Sequence, residues 1–163
     1  MSLFGSARDI ATFKIFTKEL VEDIVSQEVG YYKIMLADTP TNVYGEAMKK
    51  YFIGPVLIPV LIERGEFEMS RTEYGPDQNR PVTFRFFKDH LIEANIVPEV
   101  GDVVMYDEGY YEVDNVNENQ LILGKDPDYQ YSSGPGNFGQ SYSIILTTHY
   151  ASPDKLGITQ ERL

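Results

Sequence analysis

Over residues 97–124 the chain divides into short apolar runs separated by turn residues, and this spacing constrains the fold more than any other feature. Pro98, Glu99, Val100, Gly101 and Asp102 carry a turn signal, and Val103, Val104, Met105 and Tyr106 follow as a strand. Asp107, Glu108 and Gly109 then predict a hairpin turn into Tyr110, Tyr111, Glu112 and Val113. Asn115, Asn117 and Asn119 mark a further turn before the apolar run at 120–123, so the stretch reads as a three-stranded meander. Such runs are too short for stable helices and are rich in the β-branched and aromatic residues that favour strands. Short strands in tight succession suit a small β-barrel or sandwich.

The opening segment follows a different period. Ile10, Phe13, Phe16, Leu20, Val21 and Ile24 recur at three-to-four spacing, which predicts an amphipathic helix with Asp9 as a cap and Gly30 just beyond its end. After it, residues 31–36 form a β-like run closed by the turn formers Asp38, Thr39, Pro40, Thr41 and Asn42. Residues 43–51 are weakly patterned. The run 52–68 is rich in Ile, Val and Leu, but Pro55 and Pro59 cannot donate to a ladder and predict an edge strand. A charged loop with Gly75, Pro76 and Asp77 is expected to protrude over 68–80, followed by a strand at 81–87 and one or two helical turns at 88–95. Ser132, Ser133, Gly134, Pro135 and Gly136 place an irregular loop at 126–139, and 141–149 alternates as a closing strand. The expected organisation is one domain over 1–163. It comprises an N-terminal helix at 1–29, a β-rich core at 30–150 and a polar tail at 151–163, in a mainly β (β-rich α+β) class with long loops.

With 163 residues, of which 42% are hydrophobic, the chain has the means for one packed core. The absence of cysteine excludes disulfide staples, thiolate zinc sites and cysteine nucleophiles, and suits assembly in a reducing cytoplasm. The opening residues lack the regions of a secretion signal and no apolar run is long enough for a membrane helix, so a soluble protein with no membrane partner is expected. A formal net charge of −11, spread along the chain, leaves no basic stripe for neutralising phosphates, so tight nucleic-acid binding is not expected. Acidity of this kind serves solubility, and equally suits a wall along which DNA slides without adhering. The 12 Tyr and 9 Phe, with no Trp, fit both a β core and surfaces buried between subunits.

No pattern of catalytic or ligand residues stands out. His90 falls in a helical turn and His149 at a strand end, both expected at the surface or an interface, and neither belongs to a metal-binding pair. The carboxylates Glu66 and Glu68, Asp107 and Glu108, and Asp126 and Asp128 are close in sequence and could serve paired-acid hydrolysis, but in so acidic a chain such neighbours arise by chance and turns favour Asp. Asp126 and Asp128 lack the further ligands of a calcium loop, and 132–139 lacks the phosphate-cradle pattern. No enzyme activity, catalytic residue, cofactor or metal is expected.

Three segments in order resemble the neck, or head-completion, proteins of contractile-tailed, myovirus-type phages. They are the run Pro98 to Tyr106 leading to Tyr110, Tyr111, Glu112 and Val113; the run Val43 to Lys49 after the paired Tyr31 and Tyr32; and Asp128, Tyr129, Gln130 and Tyr131 ahead of a strand ending near Tyr150, Ala151 and Ser152. Together they span about two thirds of the sequence. Measured against that resemblance the sequence looks shorter than typical members, without their long C-terminal extension, so the contacts made by that extension are not expected of these residues. The resemblance implies an architectural role: a homo-oligomeric ring, expected to be a hexamer, in the virion neck. The ring would lie between a portal-side adaptor and a tail-terminator protein, around a channel that DNA crosses without sequence-specific contact. Assembly would take place in the host cytoplasm. A tail or baseplate adaptor, a host-directed binding module and a carboxylate-dependent hydrolase stand as alternatives.

Overall fold

Alternation of apolar residues makes strands, and strands with one apolar face must bury it; here they do so by closing on themselves. The computed structural model describes residues 7–37, 39–40, 50–65, 68–72, 75–79, 81–118, 121–123 and 140–158. The helix α1 (Ala7–Glu19) runs into a π-helical stretch, Leu20–Val25, and ends where Ser26 adopts a left-handed conformation at φ 48°. Then come β1 (Glu28–Ile34), β2 (Phe52–Arg64), β3 (Glu68–Thr72), β4 (Gly75–Asn79), β5 (Val82–Phe87) and α2 (Lys88–Glu93). They are followed by β6 (Val103–Tyr106), β7 (Gly109–Asn117), β8 (Leu121–Leu123), β9 (Gln140–Ser141), β10 (Ser143–Ala151) and α3 (Pro153–Leu156). Six strands close an antiparallel barrel in the order β1-β2-β5-β10-β7-β6, so the fold is the barrel alternative of the expected class. Among the described residues no helix is long and apolar enough to cross a membrane.

The barrel interior is solid. Tyr31, Phe84, Phe86, Ile58, Val60 and Leu146 are buried inside it, with Phe84 meeting Tyr111 edge-on at 5.9 Å and Tyr31 meeting Phe86 edge-on at 6.0 Å. A second core lies on the outside of the β1–β6–β7 wall, because alternate residues there are apolar too. Tyr32, Val103, Met105 and Tyr110 point outward and are sealed by Ala151 and Leu156. The polar-tail expectation is therefore corrected up to Ile158: β10 ends at the buried Ala151, and α3 lays Leu156 against the wall.

Several boundaries differ from the sequence reading, each for an identifiable reason. Gly30 does not follow the helix but lies within β1 between Val29 and Tyr31, and Asp9 lies inside the first helical turn. The predicted edge strand β2 is paired along its length, with a change of partner part-way. Phe52 to Pro59 pair with β1, and Val60 to Arg64 pair with β5. Both prolines fall in the half that has β1 alone as its ladder partner, so their missing N–H groups leave no β5 bond unmade. Within β2, Gly54 has a φ of 142° and a Cβ there would lie 2.6 Å from the Tyr31 carbonyl oxygen, so the position admits no side chain.

The charged segment at 68–80 is not an irregular loop. Its described residues form the β3–β4 hairpin, reached by the Gly65 N–H to Pro81 carbonyl bond that prolongs the β2–β5 ladder. The three-stranded meander is corrected as well. β6 and β7 form the predicted hairpin, but the second neighbour of β7 is β10, Asn115 and Asn117 lie within β7, and β8 pairs with β9 in a separate two-stranded sheet. The helical turns after 88 and the closing strand after 141 form as expected. The weakly patterned stretch at 43–49, Glu66, Asn119 and the loop at 126–139 with Asp126 and Asp128 lie outside the described residues.

Candidate functional site

The N-terminal helix is docked by its polar face. Lys14, Lys18 and Glu22 share one side of α1 and its π-helical continuation, and all three reach α2. Lys14 Nζ donates to both Asp89 carboxylate oxygens at 2.9 and 3.0 Å and lies 5.9 Å from the centre of the Tyr142 ring. Lys18 Nζ stands 3.6 Å from Glu93 and 3.6 Å from Glu22, and these carboxylates, Glu22 foremost, raise its pKa. His90 Nε2 lies 2.9 Å from Glu22 Oε1, where the carboxylate accepts its proton. Among the described residues of this segment, Val21 is the buried apolar one.

The apolar stripe consequently faces away. Phe13 is 53% exposed, Phe16 63%, Leu20 42% and Ile24 70%. A free helix of this length is marginal in water and ordinarily gains its stability by burying such a stripe. Exposed ion pairs contribute little each, and the arrangement leaves a substantial apolar surface exposed.

A cleft of about 240 Å³ separates this helix from the barrel, lined by Glu22, Leu57, Ile58, Pro59, His90, Glu93 and Ala94. His90, expected at the surface or an interface, is not at the surface: it is buried within the chain, its ring edge-on to Phe87 at 5.2 Å. Its Nδ1 has no hydrogen-bond partner among the described residues. Through its contact with Glu22 the imidazole ties the π-helical stretch to α2.

Among the described residues, Asp102 is the carboxylate that gathers most hydrogen bonds. Asp102, fully buried, accepts from the Tyr31 hydroxyl at 2.5 Å, Lys33 Nζ at 3.1 Å, the Ile34 N–H at 2.9 Å and the Glu99 N–H at 2.8 Å. Burial, and then the bond to Asp102, pushes the Tyr31 phenol well above its ordinary pKa. Sequence reading placed Asp102 in a turn, and it does lie there, but the spacing of 71 residues to Tyr31 hid the contact.

Of the paired carboxylates, Asp107 with Glu108 is the one pair that lies wholly within the described residues. Asp107 and Glu108 occupy the hairpin turn with φ of 50° and 62°, and Asp107 faces Arg64 at 3.7 Å. Glu68 begins β3. His149, at the surface as expected, bonds Asp114 Oδ1 at 2.7 Å. Among the described residues no three His, Asp or Glu side chains stand together as a metal site. No protein-family model matches the sequence, and no curated protein matches it. Among the described residues, the outward stripe of α1 is the candidate functional surface. Its residues were all legible as apolar, but their outward orientation depends on partners in α2.

Proposed function

We propose that this chain is a structural subunit of a phage neck ring, standing between the portal side and the tail-terminator side around the path of DNA. The observation that carries the reading is the helix that turns its polar face to its own barrel and its aromatic stripe outward. A subunit that works by gripping neighbours needs such a surface in the isolated chain. The filled barrel adds a geometric condition: a channel for DNA has to lie between copies, since Phe84, Phe86 and Tyr31 occupy the interior of each. The net charge of −11 supports a wall to which DNA does not adhere. The role is architectural, with no catalytic step assigned to any residue.

Sedimentation velocity and native mass spectrometry of the purified chain test the reading, with cryo-microscopy of the particle to place it. The expected result is a closed ring, a hexamer, located in the neck. A chain that stays monomeric at every concentration, or that turns over a substrate through a single essential acid, overturns it.

A further inference from the structure

We propose that the outward stripe of α1 takes an amphipathic segment of a different protein, one whose apolar residues are bordered by lysine or arginine. The inference rests on the reading of the stripe as a gripping surface and names what it grips.

Phe13, Phe16, Leu20 and Ile24 share one face of α1 and its π-helical continuation, so helical geometry alone makes them one surface. Other exposed apolar side chains, such as Ile53 and Leu57 on β2, belong to other elements. Beside the stripe, at four-residue steps, run Ile15, Glu19 and Asp23. All three are exposed, so this border begins apolar and ends in two carboxylates.

Among the described residues neither carboxylate makes an ion pair. As like charges one turn apart, Glu19 and Asp23 repel each other. They also stand toward the C-terminal end of the helical segment, where the helix dipole is negative, and the last turn there holds no basic residue. Glu22, the third acid of this end, is answered by Lys18 and His90. Lys14 and Lys18 themselves are held on the docked side by Asp89 and Glu93 of α2. Repulsion and dipole both favour a cation at the Glu19–Asp23 border, and none of the described residues supplies one. A second copy's stripe would bring the same carboxylates, with its described lysines again held by α2. A partner helix with apolar residues at matching spacing and a basic border meets both features at once. One helix face is smaller than the ~1,200 Å² of a standard interface, which suits a contact weak on its own and multiplied over the copies of a ring.

Calorimetric titration of the purified chain with a helical peptide of Leu and Lys, about five turns long, and with its Leu–Glu counterpart tests the proposal. The parent is expected to bind the Leu–Lys peptide and not the other. Phe16→Gln, at an exposed position where melting should be unchanged, is expected to weaken that binding by about tenfold or more. Glu19→Lys combined with Asp23→Lys should shift the preference toward the Leu–Glu peptide, which a general attraction of basic peptides to an acidic protein would not do. Leu–Lys binding untouched by these changes, or equal binding of both peptides by the parent, overturns the proposal. If the parent self-associates and Phe16→Gln abolishes that association, the occupant is a second copy and the proposal fails. A parent ring that binds neither peptide removes the partner and leaves the ring reading standing. A monomeric parent that passes the peptide tests ends the ring reading and leaves the partner.

Discussion

The Tyr31 hydroxyl donates to the buried carboxylate of Asp102 at 2.5 Å, tying the centre of β1 to the turn that launches β6. The bond matters because the same carboxylate also takes the backbone N–H groups of Ile34 and Glu99, so one side chain satisfies donors from two segments. Removing it leaves the buried Tyr31 hydroxyl and two partly buried N–H groups without their acceptor.

Asp102→Ala is accordingly expected to cost about 3 kcal/mol or more, the range for buried donors left without a charged acceptor. Urea denaturation at neutral pH checks this. A loss below about 1 kcal/mol would mean that solvent reaches the vacated donors.

Alkaline pH should weaken the fold through Tyr31. Its native pKa is raised by burial and by Asp102, whereas in the unfolded chain the phenol ionises near the ordinary value of about 10. The stabilising contribution is therefore whole below about pH 10 and declines above it, because the unfolded chain alone then releases the proton. Melting temperatures followed through this window should fall more steeply for the parent than for Tyr31→Phe. Parallel declines would remove Tyr31 as a source of the pH dependence.

Leu156 is 1% exposed and closes the second core over Tyr32 and Tyr110. Leu156→Ala should destabilise the protein by about 2–5 kcal/mol, as buried leucine truncations do. Chemical denaturation measures it, and a change of only a few tenths would show that α3 does not seal the wall.

The ion pairs that dock α1 are partly exposed, with Lys14 and Asp89 each retaining 36% of their side-chain accessibility. Salt near 1 M screens such pairs beyond about 3 Å. Hydrogen exchange of the α1 amides should then accelerate while that of β5 and β10 is unchanged. Equal protection of α1 at low and high salt would assign the docking to Val21 instead.

Much of the candidate surface was visible in the sequence as composition. Phe13, Phe16, Leu20 and Ile24 recur at helical spacing, and that spacing shows which residues share a face. It does not show which face meets the barrel. The answer came from Asp89, His90 and Glu93, some seventy residues further on, whose contacts with Lys14, Glu22 and Lys18 turn the stripe outward.

The sequence by itself determined the local elements. The Asp107–Glu108 turn formed where predicted because positive φ at both positions is a matter of the turn's own chemistry, and the β6–β7 hairpin follows from it. Helix period, strand alternation and the β-rich class are likewise properties of neighbouring residues. The tertiary structure decided strand order, the change of partner along β2, the pairing of β8 with β9 and the second core under Leu156. These depend on which distant segment presents a matching edge or apolar face, and no local pattern of residues records that choice.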